Sequence, residues 1–260
     1  MTQANHNTEH NPSSSRPLGL PQSATQKLGV IGAGMMGQGI AYVAAKAGIP
    51  VILKDMTLEA AEKGKAYSAR VSDKKIERGL TTEADKETLL DLITPTDQDT
   101  DLQGCDLIIE AVFENMPLKN QITQTNENAL AEGGIWATNT STLPITQLAE
   151  ASTAPENFIG LHFFSPVDRM KLVEIICGKK TSDKTLAKAF DFVEQINKLP
   201  IVVNDSVGFF TSRVFGKPLE EGVAMVAEGV HPERLEQLGK DLGMPVGPLA
   251  SYDEVSERLV

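Results

Sequence analysis

Residues 27–55 read KLGVIGAGMMGQGIAYVAAKAGIPVILKD, and the order of residue types in this stretch decides the fold. Leu28 to Ile31 form a short apolar strand, and Gly32, Gly34 and Gly37 follow as GxGxxG where the chain must turn from strand into helix. Gly32 permits the tight turn, Gly34 leaves room for a pyrophosphate to approach the backbone, and Gly37 lets the new helix lie close on the sheet. A diphosphate then sits over the unpaired N–H groups that open the helix. Ile40, Val43, Ala44 and Ala47 recur at helical spacing, Gly48 stops that helix, and residues 51–53 supply the second strand. Asp55 ends it, where a carboxylate accepts hydrogen bonds from a ribose 2′-hydroxyl and repels a 2′-phosphate, so the expected cofactor is NAD rather than NADP. Lys54 beside it weakens that preference slightly. The competing reading of the same residues is a Rossmann-like scaffold that has lost its cofactor.

The chain has 260 residues, 41% of them hydrophobic, enough to bury a sizeable core in one domain and part of another. A formal charge of -11 argues against nucleic acid or an anionic membrane surface as the main partner. Cys105 and Cys177 are the only cysteines and lie far apart, which fits buried free thiols in a reducing compartment better than a disulfide. No apolar run is long enough to span a bilayer, and residues 1–26 lack the apolar core of a signal peptide, so the expected location is cytoplasmic. Rich in Asn, Ser, Thr, Pro, His and Gln, residues 1–26 are expected to be a disordered tail or linker. His6 and His10 within them read as solvated rather than metal-binding, and no metal site is expected.

Past Asp55 the composition favours a long helix over residues 58–78 and a second over 83–92, capped by Thr81 or Thr82. Ser68, Lys74, Lys75 and Arg78 on the first helix read as part of a solvated, mixed-charge face. Residues 92–95 are a candidate third strand. Residues 107–112 are a buried parallel strand broken by Glu110, and ligands in such sheets bind beyond the carboxyl ends of the strands. Glu114, Asn115 and Lys119 fall just past that end, where a helix cap and an exposed ion pair are the alternative explanation. Residues 135–138 form another strand, and Ser141 or Thr142 after it can cap the helix that Pro144 starts, or serve a ligand on the edge that holds the glycine turn. Two further strands, 157–164 and 171–177, carry His162 and Glu174. Each alone has an ordinary explanation, a satisfied core histidine and an edge-strand glutamate. Paired, a carboxylate fixes the imidazole tautomer and stabilises the imidazolium, as a general base requires. A helix over 182–199, a strand over 201–203 and at most two helices in residues 207–260 complete the expected α/β architecture: a Rossmann-like, mostly parallel sheet with helices on both faces.

Together, KLGVIGAGMMGQGIAYVAAKAG, IEAVFEN with a lysine shortly after, NTSTLPIT, GLHFFSPVDRMKLVEII and DSVGFFTSRVF resemble the NAD-dependent L-3-hydroxyacyl-CoA dehydrogenases of fatty-acid β-oxidation, most of all the dehydrogenase segment of multifunctional α subunits. The resemblance covers about residues 27–255. It implies a cofactor domain over residues 27–206 and an all-helical substrate and dimerisation domain from 207, here partial, with the active site in the cleft between them. It further implies oxidation of an L-3-hydroxyacyl-CoA to the 3-ketoacyl-CoA with reduction of NAD, favoured at higher pH. His162 matches the family base, Glu174 its partner and Ser141 the serine that bonds the substrate oxygen. Glu114 and Lys119 match residues lining the NAD site, which with Gly32, Gly34, Met35, Met36, Gly37, Asp55 and Asn139 make up the expected cofactor set. Ser68 and Lys75 fall where the family contacts coenzyme A. Ser212 stands in GFFTSR where many members have an asparagine that helps hold the substrate, so its role is weakened. Short helices with apolar residues such as Val223, Met225, Val226 and Leu235 imply a homodimer or an association with other β-oxidation subunits. The alternative is a catalytically impaired NAD-binding fragment or subunit-interaction module.

Overall fold

The computed structural model describes residues 15–259, with side chains through residue 254, and His6 and His10 lie outside that range. Its contacts divide the chain into two compact units, one ending at Val207 and the other beginning at Gly208.

The first unit alternates strand and helix from the glycine turn onward. β1 (Leu28–Ile31), α1 (Met35–Lys46) and β2 (Val51–Lys54) form the opening βαβ unit, and α2 (Leu58–Ile76), α3 (Glu83–Asp91) and β3 (Ile93–Thr96) follow. β4 (Cys105–Glu110), α4 (Met116–Asn126), β5 (Leu130–Thr138), α5 (Ile145–Leu148), β6 (Phe158–Phe163), β7 (Leu172–Ile176), α6 (Asp183–Gln195) and β8 (Leu199–Val203) complete it. Local chemistry starts most of the helices. Thr57 accepts the Ala60 N–H at the start of α2, Thr82 forms a capping box with Asp85 on α3, Asn115 caps α4 with Pro117 in its first turn, and Ser182 caps α6. Each such cap is worth about 1 kcal/mol.

The eight strands form one sheet in the order β3-β2-β1-β4-β5-β6-β7-β8. All neighbours are parallel except β6 and β7, which pair antiparallel. The order reverses between β1 and β4, so the glycine turn after β1 opens at the switch point where such sheets bind ligands. Alternation along the strands divides the two faces. Val30, Leu107, Ile109, Ala137, Leu161, Phe163 and Val173 pack with α1 and α6 in the main core. Glu110, Thr138, Gly160, His162 and Glu174 occupy the alternate positions, and a Cβ on Gly160 would lie 2.7 Å from Ile145 of α5. The buried acids and the histidine therefore share the face covered by α5.

Two expectations about the first unit change. Residues 15–26, part of the expected disordered tail, run along α6: Asp191 accepts hydrogen bonds from Arg16 Nε at 2.6 Å and Ser23 N at 2.8 Å, and Gln195 accepts from Thr25 N at 2.9 Å. Polar composition suggested disorder because the segment is tied by side-chain hydrogen bonds rather than by apolar burial. Glu174 is not on an edge, since β8 flanks β7 on its other side.

The second unit holds three helices rather than at most two: α7 (Thr211–Ala227), α8 (Pro232–Asp241) and α9 (Pro248–Leu259). The break at Pro245, Gly247 and Pro248 ends one helix and starts the next, because Glu236 on α8 accepts the N–H groups of Leu249 at 2.8 Å and Ala250 at 3.1 Å. Gly239 lets Pro248 approach, where a Cβ would sit 2.7 Å from its Cδ. Val223 and Met225 are exposed as expected, whereas Leu235 is buried between the helices. Among the described residues no helix is long and apolar enough to cross a membrane.

Candidate active site

The glycine turn separates into structural and ligand-facing positions. Gly32 has φ +97°, and a Cβ there would meet the Ala111 carbonyl oxygen at 2.8 Å. On Gly37 a Cβ would lie 1.7 Å from the Gly32 carbonyl oxygen, so α1 could not start where it does. Gly34 has nothing within 4 Å of its Cβ position, and no side chain caps α1. Open space over uncapped N–H groups, with Met35 at their head, is what an anionic diphosphate requires. Asp55 reaches back to this turn, accepting the Ala33 N–H at 2.7 Å through one oxygen and the Met56 N–H at 2.7 Å through the other. Each oxygen keeps a second lone pair for a ribose hydroxyl. Lys54 turns away and pairs with Asp99 at 3.0 Å, which removes the expected competition with Asp55.

Along the same sheet edge, His162 and Glu174 are direct cross-strand partners on β6 and β7. Nδ1 of His162 lies 2.7 Å from Oε2 of Glu174, and the two side chains are 6% and 0% exposed. A carboxylate can only accept, so the Nδ1 proton is fixed toward Glu174 and Nε2 carries the lone pair of the neutral ring. Phe164 lies against the imidazole with centroids 4.5 Å apart. The turn beyond it folds onto the opening βαβ unit: Val167 packs on Gly39 of α1, and Asp168 accepts the Tyr67 hydroxyl at 2.8 Å. Burial first, and then that hydrogen bond to Asp168, push the Tyr67 phenol up to about 12.

The segment after β5 lies beside the histidine, since Thr138 pairs with Gly160, two residues before His162. Asn139 links the two strands there, donating its N–H to the Glu110 carbonyl at 2.8 Å and accepting the Phe163 N–H through Oδ1 at 3.0 Å. The next residues are gathered by Glu114, whose Oε1 accepts from Thr140 Oγ1 at 2.6 Å and from the N–H groups of Ser141 and Thr142 at 2.9 Å each. Burial pushes the Glu114 carboxyl up, but the Thr140 hydrogen bond, the Lys119 charge and the two backbone N–H groups together hold it below the usual carboxylate range. The Ser141 hydroxyl makes no hydrogen bond among the described residues and is half-buried.

Several expected residues fall elsewhere. Neither Ser141 nor Thr142 caps α5; Asp205 does, accepting the N–H groups of Ile145 and Thr146 at 2.8 Å each. Lys119 is not half of an exposed ion pair but is 1% exposed, with Nζ 3.0 Å from both oxygens of Glu110, a residue the sequence reading left out of the site. Ser68 is fully buried rather than on a solvated face, and its hydroxyl has no partner among the described residues. Lys75 lies about 25 Å along α2 from its first turn and donates to the Tyr42 hydroxyl at 2.6 Å, on a hollow of about 450 Å³ reaching Gly48 and Leu92 at the strands' amino ends. It is half-buried rather than part of a solvated face. Ser212 belongs to the first turn of α7 in the second unit.

A doubly wound sheet, an open glycine turn with an acid at the next strand end, and a buried histidine–carboxylate pair on the same edge define a dinucleotide-binding protein of the dehydrogenase class. Residues 27–206 match the family described as 3-hydroxyacyl-CoA dehydrogenase, NAD binding domain, and residues 208–259 match its C-terminal domain. The chain belongs to the 3-hydroxyacyl-CoA dehydrogenase family and carries its NAD-binding domain. It is 41% identical over 238 residues to the fatty acid oxidation complex subunit alpha of Shewanella sp. (strain W3-18-1), covering 91% of this chain and 34% of the relative. The chain thus spans about a third of the length of the curated relatives it matches. Among solved structures, it is similar to the (S)-3-hydroxybutyryl-CoA dehydrogenase of Ralstonia eutropha, with 38% identity, a TM-score of 0.85 and coverage of 89% of this chain and 83% of that one. The 3-hydroxybutyryl-CoA dehydrogenase of Escherichia coli K12 superposes with a TM-score of 0.86 at 31% identity, over 90% of this chain and 50% of that one.

Proposed function

We propose that this chain oxidises an L-3-hydroxyacyl-CoA to the 3-ketoacyl-CoA with reduction of NAD, as a step of fatty-acid β-oxidation in the cytoplasm. The observation that carries the reading is the buried 2.7 Å pair of His162 and Glu174 on the sheet edge that also bears the glycine turn. The turn from Gly32 to Gly37 and Asp55 would hold the diphosphate and adenosine ribose, since the space over Gly34 is open and the helix N–H groups are uncapped. When bound, NAD supplies the acceptor for the hydride leaving C3 of the substrate. His162 takes the C3 hydroxyl proton at Nε2, and Glu174 stabilises the imidazolium that results. Ser141 donates its hydroxyl to the substrate oxygen. The oxidation releases one proton, so rising pH favours the ketoacyl product. Ser212 offers one short donor in place of a longer amide, and homodimerisation or association with other β-oxidation subunits would proceed through the exposed apolar residues of α7.

The test is NADH absorbance in a mixture of the protein with acetoacetyl-CoA, beside a fluorescence titration of NADH binding. NADH consumption that His162→Ala abolishes, saturable by the thioester and not by free acetoacetate, is the expected result. NADH binding without turnover would overturn it and leave a cofactor-binding module.

A further inference from the structure

The resemblance assigns Glu114 and Lys119 to the cofactor, and each of them also makes hydrogen bonds within the chain. Glu110 sits at the end of β4 with its side chain 1% exposed, and it accepts the Lys119 ammonium at 3.0 Å on both oxygens and the Thr138 hydroxyl on one. Lys119 is itself 1% exposed and lies one helical turn into α4, so both charges are removed from water and held by each other. Burial pushes the Glu110 carboxyl up, and the Lys119 charge offsets this only in part. From this fixed point Lys119 also faces Glu114, with Nζ 3.6 Å from Oε2. The other oxygen of Glu114 gathers the two N–H groups of Ser141 and Thr142 and the hydroxyls of Thr140 and Thr142, the latter at 3.1 Å. Thr140 in turn accepts the Leu143 N–H at 3.0 Å, closing the segment into a compact turn.

We propose that Glu114 is a positioning residue that sets the backbone of Ser141, anchored through Lys119 on the buried Glu110. The inference rests on the dehydrogenase reading for its effect on turnover, but not for its effect on the loop. Four donors converge on a single carboxylate oxygen. The Ser141 hydroxyl is the one side-chain hydroxyl of residues 140–142 that they leave unbonded among the described residues, and it is carried on an N–H that the carboxylate fixes. Without the carboxylate, the N–H groups of Ser141 and Thr142 lose their acceptor and the serine loses its register beside His162. A displacement of about 1 Å at such a position is worth up to about a hundredfold in rate. Lys119 keeps Glu110 as its partner when Glu114 is truncated, so the sheet and α4 are not disturbed.

The experiment is a double-mutant cycle of Glu114→Ala and Ser141→Ala, with turnover on acetoacetyl-CoA and NADH affinity measured for each, and amide hydrogen exchange followed at residues 140–142. If Glu114 acts through Ser141, each single variant lowers kcat at least about tenfold. The double variant then falls no more than about twofold below Ser141→Ala, because the two losses are one loss. Exchange at the Ser141 and Thr142 amides accelerates at least about tenfold in Glu114→Ala. Glu114→Gln, which keeps an acceptor oxygen, restores most of the turnover. Losses that multiply, or unchanged exchange at residues 141 and 142, would overturn the proposal. An intact chain that binds NADH but never turns over refutes the dehydrogenase reading instead, and the exchange result then decides the loop anchor alone.

Discussion

Replacing Glu174 by Gln tests the catalytic pair with the least disturbance to the fold. Glu174 is fully buried on β7 between β6 and β8, and Gln has nearly the same volume, so neither a cavity nor an overpacked contact is introduced. What changes is the charge 2.7 Å from Nδ1 of His162. A hydrogen bond to a charged partner is worth about 1.5–3 kcal/mol, and the imidazolium formed as the hydroxyl proton is taken up loses that support. The upper end of this range converts to about 10²-fold in rate. A second loss is added if the amide presents its NH₂ to the ring: Nδ1 must then accept, the proton moves to Nε2, and the nitrogen that should take the substrate proton is already occupied. Amide replacement of the carboxylate in a serine-protease triad costs about 10⁴ for this reason. The expected fall in kcat is therefore between about 10-fold and 10⁴-fold, with NADH affinity unchanged because neither residue belongs to the glycine turn. The assay is NADH absorbance with acetoacetyl-CoA, controlled by a thermal melt and an NADH titration. A folded, NADH-binding variant with more than a third of the parent turnover would show that the pair is a structural buttress and that the proton goes elsewhere.

Three further outcomes follow from the same geometry. Gly34→Ala should fold normally, since its Cβ meets nothing within 4 Å, and weaken NADH binding at least about tenfold by entering the diphosphate space, whereas Gly37→Ala, 1.7 Å from the Gly32 oxygen, should destabilise the fold by about 3 kcal/mol or more; denaturant melts and NADH titrations separate the two. Asp191 is pushed up by burial, but the Arg16 guanidinium and the Ser23 N–H hold it below the usual carboxylate range, so its ionised form stabilises the folded chain. That stability is present above the unfolded value of about 3.9 and is lost as pH falls through the lower folded value, so Asp191→Ala should cost about 2 kcal/mol at pH 7 and progressively less as pH falls below about 3.9, read from melts across that range. Burial pushes the Cys105 and Cys177 thiols up to about 11, so labelling of both by a thiol reagent at pH 8 should be slow in the native protein and fast in denaturant.

The opening βαβ unit was legible because its instructions are local. A glycine three residues after another, a helical spacing of Ile40, Val43 and Ala44, and an acid at a strand end all act within one short stretch, and the backbone obeys them wherever the chain goes next. The caps that sequence reading located, Thr82 and Asn115, are likewise supplied by the residue adjoining the helix they start. Those it missed come from afar: Asp205 caps α5 across 60 residues, and Glu236 caps α9 from the preceding helix. The same distinction runs through the site. His162 and Glu174 could be paired from sequence because a hairpin brings alternate residues of adjacent strands together, so twelve residues of separation is a local relation in a sheet. Glu110, inside an otherwise apolar run, looked like an interruption of a strand, since nothing in its neighbourhood says that Lys119 and Thr138 will meet it in the interior. Ser68 illustrates the opposite error. A serine on a mixed-charge helix gives no sign of which stripe faces inward, and here Ala61, Gly64, Ser68 and Ser72 are the small residues through which α2 approaches the sheet and α1. A small polar residue on a close-packed helix face is thus better read first as a spacer, and a lone acid in a buried strand first as half of a pair whose other half must be sought at the end of the strand.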